Sequence, residues 1–189
     1  MWSCFGKFVI PCTSQYQKFL KLLLAKDQLI PRNTASSATE ALQFLTSGYA
    51  EDPVKTLKEG LIGARSKSPV MLQNLKFFSL CAHHMLPFYG TATIVYVPKK
   101  HIVGLGKIPK ALTALSHRLQ LQEQLTEQMA NAVFKALQPE SCAVILDGFH
   151  FCLAMRGAQE KEARLTTLAL RGKWKKNPGS FKNLAKILK

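Results

Sequence analysis

The sequence predicts an α+β fold: an antiparallel sheet with helices packed on one side, behind an N-terminal helical portion. Three observations carry this. Apolar residues recur at helical spacing through the first third of the chain. From Met71 the character changes to runs rich in Thr, Val, Ile and Tyr. The later part then reads as two strands, two helices and two strands, an order that suits a sheet with helices on one face. The 189 residues are expected to form one domain, with helices over about 1–65 and sheet plus helices over about 70–189.

Taken in order, the first helix is expected from about Ser14 to Lys26, with Phe19, Leu20, Leu23 and Leu24 spaced along one side. A second starts at Ser37, where Ser37-Ala-Thr-Glu40 reads as a capping box; Ala41, Leu42 and Leu45 face inward and Gly48 ends it. A shorter helix runs around Val54 to Leu61. Strands are expected over Met71 to Cys81, Gly90 to Pro98, Cys142 to Phe151 and Leu165 to Leu170. Between the second and third lie two helices. Pro109 to His117 tolerates its proline in a first turn. Leu121 to Leu137 sets Leu121, Leu125, Met129, Ala132, Val133 and Ala136 on one face.

Composition narrows the function. Hydrophobic residues make up 47% of the chain, so it is a folding sequence rather than a disordered one. No window approaches the roughly 18 apolar residues of a membrane span. The start, Met1 to Pro11, carries only Lys7 and makes a poor secretory signal, so a cytoplasmic protein is expected. Five scattered cysteines argue against a disulfide framework and for metal binding or burial. Cys4 and Cys12 are given no role, and Cys142, opening an apolar run, reads as an inert buried thiol. The net charge of +15 allows nucleic acid, an anionic surface or a polyanionic small substrate as partner. Much of the excess sits in a basic tail, Arg171 to Lys189, that lacks any acid. With no Arg-rich stripe interleaved with aromatics, nucleic acid is not favoured.

The chemistry concentrates in two places. Cys81-Ala82-His83-His84 puts a thiolate and an imidazole at a spacing that a tight turn closes onto one metal ion, although the same residues could serve as packing. His150-Phe151-Cys152 ends the third strand, where alternation sends His150 and Cys152 to one face. Together they offer Cys81, His84 and Cys152 as zinc ligands, with His83 and His150 left beside the metal. Three ligands leave a coordination position open, as in catalytic zinc sites, and such a zinc lowers the pKa of its water to about 7. The spare histidines titrate in that range and suit acid and base roles. A structural site would need a fourth ligand, for which His101, His117 and Cys142 qualify by type only.

These residues resemble the GTP cyclohydrolase I family. Phe78 to Phe88, containing Cys81-Ala82-His83-His84-Met85-Leu86-Pro87-Phe88, is similar to its Cys-Glu-His-His-x-x-Pro-Phe zinc motif. Val103-Gly104-Leu105-Gly106-Lys107 resembles its Gly-Leu-Ser-Lys segment, and Arg118 to Thr126 resembles its Arg-x-Gln-x-Gln-Glu-Arg-Leu-Thr run. His150 to Gly157 resembles its second metal element, and Leu42 to Tyr49 its N-terminal helix. The resemblance implies a tunnelling fold (T-fold) and a ring-shaped homo-oligomer, such as a decamer of two pentameric rings, with sites between subunits. It implies zinc-dependent hydrolysis at C8 of GTP, giving formate and 7,8-dihydroneopterin triphosphate at the head of a folate or pterin pathway. It implies proton transfer by His83 and His150, a guanine edge held by Glu123 with Gln122, and a triphosphate faced by Lys107, Lys110 and Arg156. Read without the family, Glu123 and Lys107 are solvated helix residues and Arg156 a surface ion-pair partner.

The departures from the family pattern fall on the phosphate side. Ala82 stands where the family has Glu, Gly106 where it has Ser, and Lys110 where it has Arg. Thr34-Ala35-Ser36-Ser37 lacks the Arg of Thr-Pro-x-Arg, and Gln124 replaces the Arg of Gln-Glu-Arg. Lysine keeps charge but loses the bidentate fork. A non-catalytic or altered-substrate relative that binds a purine or pterin is therefore the second reading. A basic zinc protein that binds nucleic acid through its tail is the third.

Overall fold

The computed structural model describes residues 12–23 and 30–181. The chain divides into two compact units, Met1–Leu45 and Thr46–Lys189.

The first unit holds α1 (Cys12–Leu23) and α2 (Thr34–Leu45). The expected end of α1 at Lys26 lies outside the described residues, as do Cys4 and the last part of the basic tail. The start of α2 differs from the capping-box expectation. The helix begins three residues before Ser37, whose amide donates to Asn33 O at 2.9 Å. Ser37 is therefore inside the helix. The real entry is the turn in which the Thr34 hydroxyl donates to Pro31 O at 2.8 Å.

In the second unit a 3-10 turn, Ser47–Ala50, leads to α3 (Pro53–Lys58). Asp52 caps α3 by accepting from the amides of Val54 and Lys55, and Pro53 occupies its first turn, where its missing N–H costs nothing. The helix is shorter than expected because Leu61 joins β1 (Leu61–Gly63), which later pairs with β4 (His101–Val103). The main sheet is built from β2 (Val70–Cys81), β3 (Pro87–Val97), β5 (Leu119–Gln120), β6 (Ser141–His150) and β7 (Leu165–Gly172). Their order is β5-β2-β3-β6-β7, antiparallel except for the two-residue parallel pairing of β5 with β2. Helices α4 (Lys107–Ser116) and α5 (Gln122–Leu137) complete the expected plan.

Alternation along the strands builds the core. Phe88, Ala92, Ile94 and Tyr96 of β3 and Cys142, Val144 and Leu146 of β6 point to the face that carries α4 and α5. There they meet Ile108, Leu112, Leu125, Met129 and Val133, all essentially without solvent exposure. The opposite face has a smaller cluster in which Val95 and Ala143 pack with Trp174, from the one-turn α7 (Lys173–Lys176), and with Phe181.

The third strand stops one residue earlier than expected. After His150 the backbone turns into a one-turn helix, α6 (Phe151–Ala154), so strand alternation does not place Cys152 beside His150. The strand registers nonetheless bring the motifs to one end of the sheet. Leu80 pairs with Pro87, Phe88 with His150, and Gly148 with Leu165. The C-terminal ends of β2 and β6 thus lie together, where α5 begins.

Candidate metal and active site

Cys81 is the last residue of β2, 4% exposed, and its side chain shares the helix-bearing face with Phe77. The turn after it is closed by Met85 N–H donating to Cys81 O at 2.8 Å and Cys81 N–H donating to Leu86 O at 2.9 Å. Met85 adopts φ 54°, a left-handed conformation uncommon outside glycine, and this lets the chain reverse into β3. The turn projects the next two histidines together, their rings 5.9 Å apart and edge-on. One ligand atom each from Cys81, His83 and His84 lie within 4.8 Å of one another. A thiol and two imidazoles that close suit zinc by donor type and by spacing.

Cys152, in α6, lies close to Cys81 but outside that group of three. Its pKa is raised, first by burial and then by the neighbouring Cys81, while Arg156 pulls it down. Cys81, Cys142 and Cys152 are free thiols.

His150 lies flat on Phe88, ring centroids 4.5 Å apart and planes 7° from parallel. Its Nε2 is 2.9 Å from Oε1 of Gln122. Burial lowers its pKa, and Glu123 opposes the shift. Glu123 is exposed in the first turn of α5. His150 and Cys152 line a cleft with Leu153, Ala163, Arg164 and Leu165.

Gln122 departs from the expectation that it meets a purine beside Glu123. It is 1% exposed, and its amide is turned into the protein, donating to Leu146 O, Leu165 O and Thr167 Oγ1. The helix start that exposes Glu123 carries its neighbour underneath, against β6 and β7. The isolated glycine Gly148 in an otherwise bulky strand was the sequence signal for this close approach.

Lys107 and Lys110 line a different cleft, with Glu59, Gly60, Leu61 and Gly104 to Gly106. Lys107 Nζ is 3.1 Å from Glu59 Oε2, a pairing that neither motif announces. Arg156 is exposed after α6. One chain thus gathers the cysteines and histidines at the sheet end and carries Lys107 and Lys110 at a separate cleft.

The sheet, with α4 and α5 on one face and a Cys/His group at one end that could hold a metal ion, makes an α+β fold. The chain belongs to the GTP cyclohydrolase I family, whose profile matches residues 16–189. It is 42% identical to GTP cyclohydrolase 1 of Campylobacter curvus over 144 residues, 76% of each chain. It is 38% identical to GTP cyclohydrolase 1 of Deinococcus radiodurans over 147 residues, 78% of this chain and 68% of that one. Among solved structures, the apo form of the archaeosine synthase QueF-Like matches 57% of this chain and 97% of its own, with TM-score 0.48 and 17% identity, too distant to bear on chemistry. Among the described residues no helix is long and apolar enough to cross a membrane.

Proposed function

We propose that this chain is a zinc-dependent GTP cyclohydrolase that converts GTP to 7,8-dihydroneopterin triphosphate and formate. The observation that carries the reading is the meeting of both motifs at one sheet end: Cys81 groups with His83 and His84, and Cys152 lies near enough for Cys81 to raise its pKa, next to the stacked His150. Cys81, His84 and Cys152 hold the zinc, which supplies Lewis-acid activation for hydrolysis at C8 of the guanine. His83 and His150 move protons to and from the ring nitrogens. Glu123 accepts from the guanine N1–H and amino group, since a carboxylate has acceptors for both. Lys107, Lys110 and Arg156 balance the triphosphate charge.

Because Lys107 and Lys110 line another cleft, the full site is assembled between copies in a ring-shaped homo-oligomer. Phe78, Tyr89 and Leu168 lie exposed on the sheet face away from α5 and support such an association. Free thiols suit a reducing, cytoplasmic setting, and the product enters folate or pterin synthesis. A second assignment, with His83 as a ligand in place of Cys152, is favoured by His83's place in the tightest group.

Zinc-loaded protein incubated with GTP should release formate and a pterin that fluoresces after oxidation; neither product from folded, zinc-loaded protein overturns the reading. Elemental analysis separates the two ligand sets. Cys152→Ala should lose zinc and His83→Ala should keep it, the reverse pattern favouring the second assignment.

A further inference from the structure

A proton carrier works through one ring nitrogen, and for His150 the residues beneath it decide which. We propose that Gln122 is a positioning residue that locks neutral His150 as the Nε2–H tautomer and leaves Nδ1 as the atom that accepts a proton. The proposal deepens the reading of His150 as a proton carrier and rests on it for its catalytic consequence.

The direction of each hydrogen bond around Gln122 fixes the tautomer. Gln122 Nε2 lies 2.7 Å from Leu165 O, 3.2 Å from Leu146 O and 3.2 Å from Thr167 Oγ1. The two carbonyls can only accept, so the amide –NH2 must face them. The reversed amide would press an oxygen against both carbonyls at a residue 1% exposed, leaving buried groups unpaired. Oε1 is therefore directed at His150 Nε2, 2.9 Å away. A carbonyl oxygen cannot donate, so Nε2 carries the hydrogen. Neutral imidazole has only one N–H, and its lone pair is then on Nδ1.

The surroundings hold this arrangement. Thr126 Oγ1 donates to Gln122 O at 2.7 Å, which commits its single hydrogen. At 2.6 Å, Thr167 Oγ1 must therefore donate to Thr126, so towards Gln122 Nε2 it can only accept, sharing an amide hydrogen with a carbonyl. Phe88, stacked at 4.5 Å, fixes the plane of the imidazole. Gly148 makes the room: a Cβ there would lie 2.2 Å from Gln122 Oε1. When Nδ1 takes a proton, the bond from Nε2–H to Oε1 becomes charge-assisted and stronger.

The test is nitrogen-15 NMR of histidine-labelled whole protein at about pH 8, where imidazole is neutral, with the His150 signals assigned by their loss in His150→Gln. The unsubstituted protein should show a protonated Nε2 and a bare Nδ1. Gln122→Met keeps the length and removes the bonds, so both tautomers should appear, and kcat should fall by about tenfold or more with KM for GTP little changed. Gly148→Ala, which keeps Gln122 but displaces its amide, should move the same signals in the same direction. It carries the test if Gln122→Met does not fold. A protonated Nδ1 in the unsubstituted protein, or an unchanged pattern in the folded variants, overturns the proposal. The spectra need no turnover, so failure of GTP hydrolysis and failure of the tautomer lock are read separately.

Discussion

Cys142 and Cys152 carry the same functional group, and their surroundings separate them. Cys142 is fully buried, its thiol 3.6 Å from Ala130 O, and burial pushes its pKa up to about 12 against the pull of Arg171. The inert buried thiol expected from its apolar run is what the structure contains. Its folded pKa is above the unfolded value of 9.0, so its contribution to stability is complete below pH 9 and lost as the pH rises towards 12. The stability gap between the unsubstituted protein and Cys142→Ala in urea titrations should therefore narrow steadily above pH 9. Gln122 marks the limit of legibility at this scale. Its place in a Gln-Glu pair pointed to a ligand, whereas its partners Leu146, Leu165 and Thr167 lie 24 to 45 residues away. Local spacing holds no record of such contacts.

Among the elements, the long ones were legible and the short ones were not. β2, β3 and β6 and helix α5 each bury enough side chains to impose a period on the sequence. β1, β4 and β5 span two or three residues, too few for any alternation to show. The bend that takes Cys152 into α6 was hidden for a related reason: Phe151 and Leu153 fit a strand as well as a helical turn. Pairing between β3 and β6 is close enough to be tested with one methyl group. A Cβ at Gly90 would lie 1.9 Å from Asp147 O, on the partner backbone, where no side-chain rotation can relieve it. Gly90→Ala should cost about 3 kcal/mol, read as a lower urea midpoint with an unchanged slope.

For the whole molecule, 26 basic residues face 11 acidic ones. Exposed pairs such as Lys173 with Glu140 contribute little each, about 0–1 kcal/mol, so the surplus acts chiefly as a field. In the proposed reading, that field would substitute in part for the forked donors missing at Lys110, Ser37 and Gln124. Salt screens it within about 8 Å at physiological strength. KM for GTP should therefore rise with ionic strength, and GDP should be disfavoured less than a complete phosphate clamp would require. Tight, salt-insensitive use of GTP with full rejection of GDP would contradict this. With Glu123 in its proposed role at the guanine edge, guanine selectivity should persist, with ATP left unprocessed.

The parallel pairing of β5 with the end of β2 is the smallest ladder in the sheet, yet both halves of the chemistry hang from it. Ala82 N–H donates to Gln120 O at 2.9 Å, one residue beyond Cys81 and two before Gln122. The next strand residue, Leu119, is tied by its amide to the Tyr49 hydroxyl at 3.2 Å. A ladder of two residues at a sheet edge opens far more often than the interior strands, and its opening frees the Cys81–Met85 turn and the start of α5 together. Deuterium uptake should record this as one event. Stripping the proposed zinc with a chelator should speed exchange at the Ala82 amide, while Val144 and Ile94 in the middle of the sheet keep their protection.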